Sequence, residues 1–177
     1  MSALRFIKEE AIPATGVSSI SITNVFSDEF DVYCLMGTNI STNSTSHDNV
    51  QARLIDETDT IRNSSYDTSQ QDGAAEGAIS AILGTNASSF GNASFMTSDL
   101  EPESLAMVWW IFNPYSASSY TYAYWQGGAS LAGLTRMRKG VGVLKSTDRI
   151  TGFYIYQNNS SRLMNSGHLR VYGLSVN

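Results

Sequence analysis

The strongest pattern along the chain is an alternation of apolar and polar side chains with period two, the signature of β-strands. Residues 105–112 carry it on both parities. Leu105, Met107, Trp109 and Ile111 share one face, and Ala106, Val108, Trp110 and Phe112 share the other. A strand apolar on both sides has to be covered on both sides, which predicts the centre of a layered structure. After a turn that begins at Asn113-Pro114, residues 120–125 set Tyr120, Tyr122 and Tyr124 against Thr121, Ala123 and Trp125. A large amphipathic ring at every other position predicts a second strand beside the first.

The same alternation predicts strands over residues 17–23, 30–36, 50–55, 150–157 and 167–176. In 50–55, Val50, Ala52 and Leu54 point inward and Gln51 and Arg53 outward. Residues 60–63 are expected to pair back briefly, and 93–97 to form a short strand. Gly-Val-Gly-Val-Leu at 140–144 predicts a strand lying close against bulky rings, with the Tyr and Trp side chains as candidates. The small-polar runs 38–49, 64–73 and 85–92 predict loops. In residues 73–83 a short helix competes with a strand starting at Ala78. Ala75, Ile79, Ile82 and Leu83 fit helical spacing, and two glycines at ~1 kcal/mol each weaken it.

About eight to ten strands at regular spacing, with turn residues between them, predict an all-β fold. The expected architecture is an antiparallel two-sheet β-sandwich of jelly-roll type with little helix. No repeat, linker or compositional break divides residues 15–177, which are expected to form one domain. Residues 1–14 precede it as an edge strand or an N-terminal arm, with Leu4, Phe6 and Ile7 as candidate anchoring side chains.

Composition sharpens this picture. Only 15% of the 177 residues are charged, against roughly 25% in an average soluble domain. Ser, Thr, Asn and Gly fill the gap, which suits strands and turns. The net charge of −5 is uneven: residues 1–103 hold fifteen acids and four bases, whereas 104–177 hold one acid and seven bases. Either the strands of the two halves interleave, or the molecule has an acidic and a basic end that favour packing of identical copies. Nucleic acid is not expected as a partner, because Arg136, Arg138 and Lys139 form only a short cluster in a turn-like segment.

The single cysteine, Cys34, excludes an internal disulfide and is expected as a small buried hydrophobe. The first ten residues lack the apolar core of a signal peptide. No run reaches the ~18 apolar residues of a membrane span. Synthesis and folding in a cytoplasm, without membrane insertion, are therefore expected. The seven Asn-x-Ser/Thr triplets, starting at Asn39, Asn43, Asn63, Asn86, Asn92, Asn158 and Asn159, then reflect composition rather than glycosylation.

Candidate chemistry is sparse. His47 and His168 share no ligand-spaced partner, so no metal site is expected. No Gly-x-Ser-x-Gly elbow is present, and residues 140–146 lack the Gly-Lys-Ser/Thr ending of a phosphate loop. Asp99, Glu101 and Glu103 flank Pro102 in what reads as a solvated acidic turn rather than a glycosidase pair. No enzyme activity and no cofactor are expected. The aromatics are the remaining signal. Tyr120, Tyr122, Tyr124 and Trp125 are candidates for core, for a subunit interface, or for a platform on which a sugar ring stacks.

Several segments together resemble small β-sandwich proteins encoded among the virion structural genes of tailed phages, marine ones in particular. They are Ser18-Ser19-Ile20-Ser21-Ile22 with Phe30-Asp31-Val32-Tyr33, and Ala52-Arg53-Leu54-Ile55-Asp56 with Ser65-Tyr66-Asp67. Phe112-Asn113-Pro114, Gly140-Val141-Gly142-Val143-Leu144, Ile150-Thr151-Gly152-Phe153 and Leu169-Arg170-Val171-Tyr172-Gly173-Leu174 complete the set. Residues 73–83 depart from the pattern. The resemblance implies a capsid decoration, fibre head or other appendage, made in the host cytoplasm and resident in the virion. Such a protein assembles with copies of itself and with capsid or tail proteins, and it uses no cofactor and no catalytic residue. The alternative is a carbohydrate-binding module at a fibre tip that recognises host surface glycan.

Overall fold

The computed structural model describes residues 3–43, 48–75, 77, 79–90, 96–97, 104–131 and 134–175. Among these there are strands and no helix. The strands are β1 (Ala3–Ala11), β2 (Ser19–Ile22), β3 (Val32–Thr42), β4 (Asp48–Asp56), β5 (Tyr66–Ala74) and β6 (Ser80–Ala87). They continue with β7 (Met96–Thr97), β8 (Leu105–Phe112), β9 (Thr121–Leu131), β10 (Leu134–Leu144), β11 (Ile150–Gln157) and β12 (Met164–Ser175). Eight of them form one antiparallel sheet in the order β1-β12-β3-β8-β9-β10-β5-β6, and four form a second in the order β2-β11-β4-β7.

The pairing is nested. β1 pairs with β12 and β3 with β8 in the large sheet, while β2 pairs with β11 and β4 with β7 in the small one. The hairpins β5–β6 and β9–β10 extend the large sheet beyond β8.

The core lies between the sheets and is built from one parity of the strands that line it. From the large sheet it takes Tyr33, Leu35, Leu105, Trp109, Ile111, Ala123, Trp125, Leu144, Leu169 and Val171. Ile22, Val50, Ala52, Leu54, Phe153 and Ile155 come from the small sheet. At its centre Trp109 stacks on Trp125 at 4.8 Å, with Phe90 and Phe153 against the pair. The expected close approach of 140–144 to a ring is found. A Cβ on Gly140 would sit 2.3 Å from the Trp125 ring, so only glycine lets β10 pass beneath it. At Gly167 a φ of +115° accompanies the irregular register between Ser166 and His168, a conformation that L side chains rarely adopt.

β8 is the fourth of eight strands, at the centre as expected. The expectation that both of its faces are covered is corrected. Leu105, Met107, Trp109 and Ile111 are buried, but Ala106 is exposed and Val108, Trp110 and Phe112 are only half-buried. The small sheet covers one side, and within this chain nothing among the described residues covers the other.

Residues 66–74 are strand rather than loop, and β6 carries strand through 85–87. In 73–83 the strand reading holds from Ser80, with residues 76 and 78 outside the described residues. The polar run 64–73 misled because Tyr66 and Gln70 face the core while Ser69 and Gln71 face out, an alternation hidden by uniformly polar side chains. Residues 38–42 and 48–49 likewise extend β3 and β4, and residues 44–47 lie outside the described residues. The Arg136–Lys139 cluster is strand, not turn. Arg138 is buried and donates to Asp72 at 2.7 Å and to Asn49 at 2.9 Å.

Strands of the two sequence halves interleave, which resolves the charge asymmetry. Acids of the first half pair with bases of the second in Asp72–Arg138, Asp67–Lys145, Glu57–Arg149 and Glu9–Arg170.

Candidate interaction surface

The outward parity of the large sheet is where the chain departs from an ordinary sandwich. One register row crosses all eight strands: Phe6, Tyr172, Cys34, Trp110, Tyr124, Val141, Ser69 and Leu83, each opposite the next. Neighbouring rows add Leu4, Val32, Phe112, Tyr122 and Val143 on one side and Met36 and Val108 on the other. Among the described residues nine large apolar side chains are markedly exposed: Leu4, Phe6, Ile79, Leu83, Tyr120, Tyr122, Tyr124, Met137 and Val141. All nine belong to this one face. Phe6 is 55% and Leu83 74% exposed, at opposite ends of the row. Contiguous apolar patches of this extent are uncommon on monomeric soluble proteins. A groove of about 670 Å³ runs along it, lined by Met36, Ala106, Val108, Gln126, Met137 and Ile79.

The face is almost free of net charge. Glu9 accepts from Arg170 at 2.6 Å and contacts His168 at 2.8 Å. The Arg170 guanidinium, more than His168, holds the Glu9 carboxyl below its usual range. Asp67 accepts from the Asn86 backbone N–H at 2.8 Å and pairs with Lys145 at 2.9 Å, and these contacts, in that order, lower its pKa too. Lys139 is the one cation on the face without an ionic partner among the described residues. In the middle of the sheet Cys34 is buried, and desolvation pushes its thiol up to about 11.

The sequence-derived site is partly assembled here. Tyr120, Tyr122 and Tyr124 stand exposed on the face, at 38–45%. Trp125 does not join them and is a correction: it is fully buried on the opposite parity, in the core stack with Trp109. Period two sends neighbours to opposite faces, so a platform of Tyr124 plus Trp125 is geometrically excluded. Of the arm candidates, Leu4 and Phe6 lie on the face, while Ile7 packs against the core at a register shift. Their segment is an edge strand, hydrogen-bonded along β12.

Ile79, Leu83, Met137 and Val141 were missed as site residues. The available signal was parity: Val141 alternates with glycines at 140 and 142, and a glycine can face the core only if its neighbour faces out.

His47, Asp99, Glu101 and Glu103 lie outside the described residues. Among the described residues no group of three or more His, Cys, Asp or Glu side chains could hold a metal ion.

The outward face of the small sheet is different. Tyr154 and Tyr156 stack at 5.4 Å, the Arg53 guanidinium lies 4.6 Å over the Tyr156 ring, and the Tyr156 hydroxyl donates to Gln51. Its rings are already partnered.

Compared with known protein families, with curated proteins and with solved structures, the chain matches none.

Proposed function

We propose that the chain is a jelly roll serving as a non-enzymatic structural protein of a tailed-phage virion. It is a capsid decoration or a tail or fibre appendage that works by packing against copies of itself and against other virion proteins. It needs no cofactor and is made in the host cytoplasm. The nested pairing supports the jelly-roll reading. With the hairpins β5–β6 and β9–β10 set aside, the first strand pairs with the last, the second with the second-last, and so inward, alternating between sheets. That is a long hairpin rolled into two sheets, an architecture found among viral capsid and lectin domains.

The observation that carries the assembly reading is that, among the described residues, all nine exposed large apolar side chains lie on one sheet face. A face of that kind has its use in burial against another protein surface. The virion assignment itself rests on the sequence resemblance.

The experiment is to purify particles of the phage that encodes the chain and locate the protein by labelling and imaging, with its copy number. Regular copies on the capsid or tail are expected. Abundance in infected cells with none in the particle overturns the reading. The exposed row of Tyr120, Tyr122 and Tyr124 favours a second reading, a glycan-recognising module at a fibre tip. In that case Tyr122→Ala with Tyr124→Ala abolishes adsorption to host cells but leaves the protein in the particle.

A further inference from the structure

Building on the assembly reading, we propose that a second copy of this chain covers the outward face of the large sheet. The two sheets stack face to face about a two-fold axis that runs parallel to the strands, between β8 and β9.

Area supports this occupant. Nine exposed side chains at roughly 100 Å² each, about half of what a buried aromatic covers, reach the ~800 Å² per partner of a standard stable interface. A two-fold contact brings the same patch of both copies together, so the patch must tolerate itself. This one does. The carboxylates of Glu9 and Asp67 are neutralised within the chain by Arg170 and Lys145, leaving no field of one sign to repel a copy.

The order of the strands supports the axis. β8 and β9 are the fourth and fifth of eight, so the two-fold lays β1 over β6, β12 over β5, β3 over β10 and β8 over β9. Along the long register row, Phe6 then meets Leu83, the exposed apolar ends of the face, and Trp110 meets Tyr124. Met137 of either copy lies over the stretch of groove lined by Met36 and Thr38 of the other. Its flexible thioether can fill that concavity. Each Lys139 faces β3 of the other copy. The two Lys139 positions are three strand spacings apart, about 14 Å at ~4.8 Å per strand, beyond the ~8 Å screening length of physiological salt.

The test is sedimentation velocity of the full chain over a concentration series, with circular dichroism melts to check folding. The expected result is a dimer that Val141→Arg converts to a folded monomer, while Thr147→Arg, in the loop after β10, leaves it intact. Mixing Phe6→Cys with Leu83→Cys protein under mild oxidation should cross-link the two, and neither alone. Cys34 stays a bystander, being buried with a raised thiol pKa.

A monomeric wild type overturns the stack, as do open-ended oligomers, which edge pairing of β1 with β6 would produce. Cross-linking of either variant with itself but not in the mixture overturns the axis. A monomer that is nevertheless found in purified particles overturns this stack and leaves the virion reading standing. A dimer absent from particles does the reverse.

Discussion

The two sheets present rings to the outside in contrasting ways. On the small sheet, Tyr154 and Tyr156 stack on each other, and β4 supplies Arg53 and Gln51 to cover one ring and bind its hydroxyl. On the large sheet, Tyr122 and Tyr124 stand beside Phe112, Trp110, Val143 and Val141; the Tyr124 hydroxyl donates to Gln126 of its own strand at 3.3 Å, but among the described residues no cation and no second ring stacks on either tyrosine. Alternating tyrosines produce both surfaces. The cross-strand neighbours decide whether the rings are finished within the chain or left for another protein.

The largest expected effect separates the inner parity from the outer. Trp109→Ala removes a ring held by Trp125, Phe90 and Phe153 and should cost ~3–5 kcal/mol of stability in urea denaturation. Tyr124→Ala, on the open face, should change the stability of the monomer by no more than ~0.5 kcal/mol. Equal losses would mean that the open face is structural rather than free.

Next comes the polar contact inside the large sheet. Arg138→Ala leaves the Asp72 carboxylate without its ionic partner in a mostly buried setting, and a loss of ~3 kcal/mol is expected in the same assay. Arg138→Ala paired with Asp72→Ala should recover part of it, as a double-mutant cycle would show.

The contrast between the outward faces is read directly by Tyr156→Ala. Losing the Arg53 stack and the Gln51 hydrogen bond should cost ~1–2 kcal/mol, more than Tyr124→Ala. A smaller cost than at Tyr124 would erase the distinction between finished and open rings.

The smallest effect is on acid stability. Asp56 is held below its ordinary pKa even though burial pushes it up, because the Thr58 hydroxyl, the Thr60 and Thr58 N–H groups and Arg62 together outweigh the burial. Asp67 and Glu9 are lowered as well. A carboxylate with a folded pKa below its unfolded one stabilises the fold fully above the unfolded value, ~3.9–4.3. That contribution drains away as pH falls through the folded value. Melting temperature should therefore be flat from pH 7 to about 5 and fall below about 4, with Asp56→Asn reducing the fall. A melting temperature that rises on acidification contradicts this.

Much of the fold was legible in the chain itself. The period-two runs at 105–112, 120–125, 50–55 and 150–157 name their strands because large apolar residues alternate there with others and burial follows parity. The Gly-x-Gly at 140–142 foretold a ring overhead, because a missing Cβ has a steric meaning that survives without coordinates. β5 was not legible, since Ser, Thr, Gln and Asp make strand and loop look alike, and pairing with β10 supplies the order that local preference does not.

The sequence by itself determined which residues share a face; only the tertiary structure decided which face is covered. Burial of a sheet depends on what packs against it. A small sheet of four strands lies against a large one of eight, and only one side of the large sheet receives it. From sequence, residues 105–112 required cover on both sides; the fold supplies it on one. The other side joins residues as distant as Phe6, Trp110 and Leu83 into a single apolar row, which no local pattern could reveal because it exists only through the pairing of eight strands.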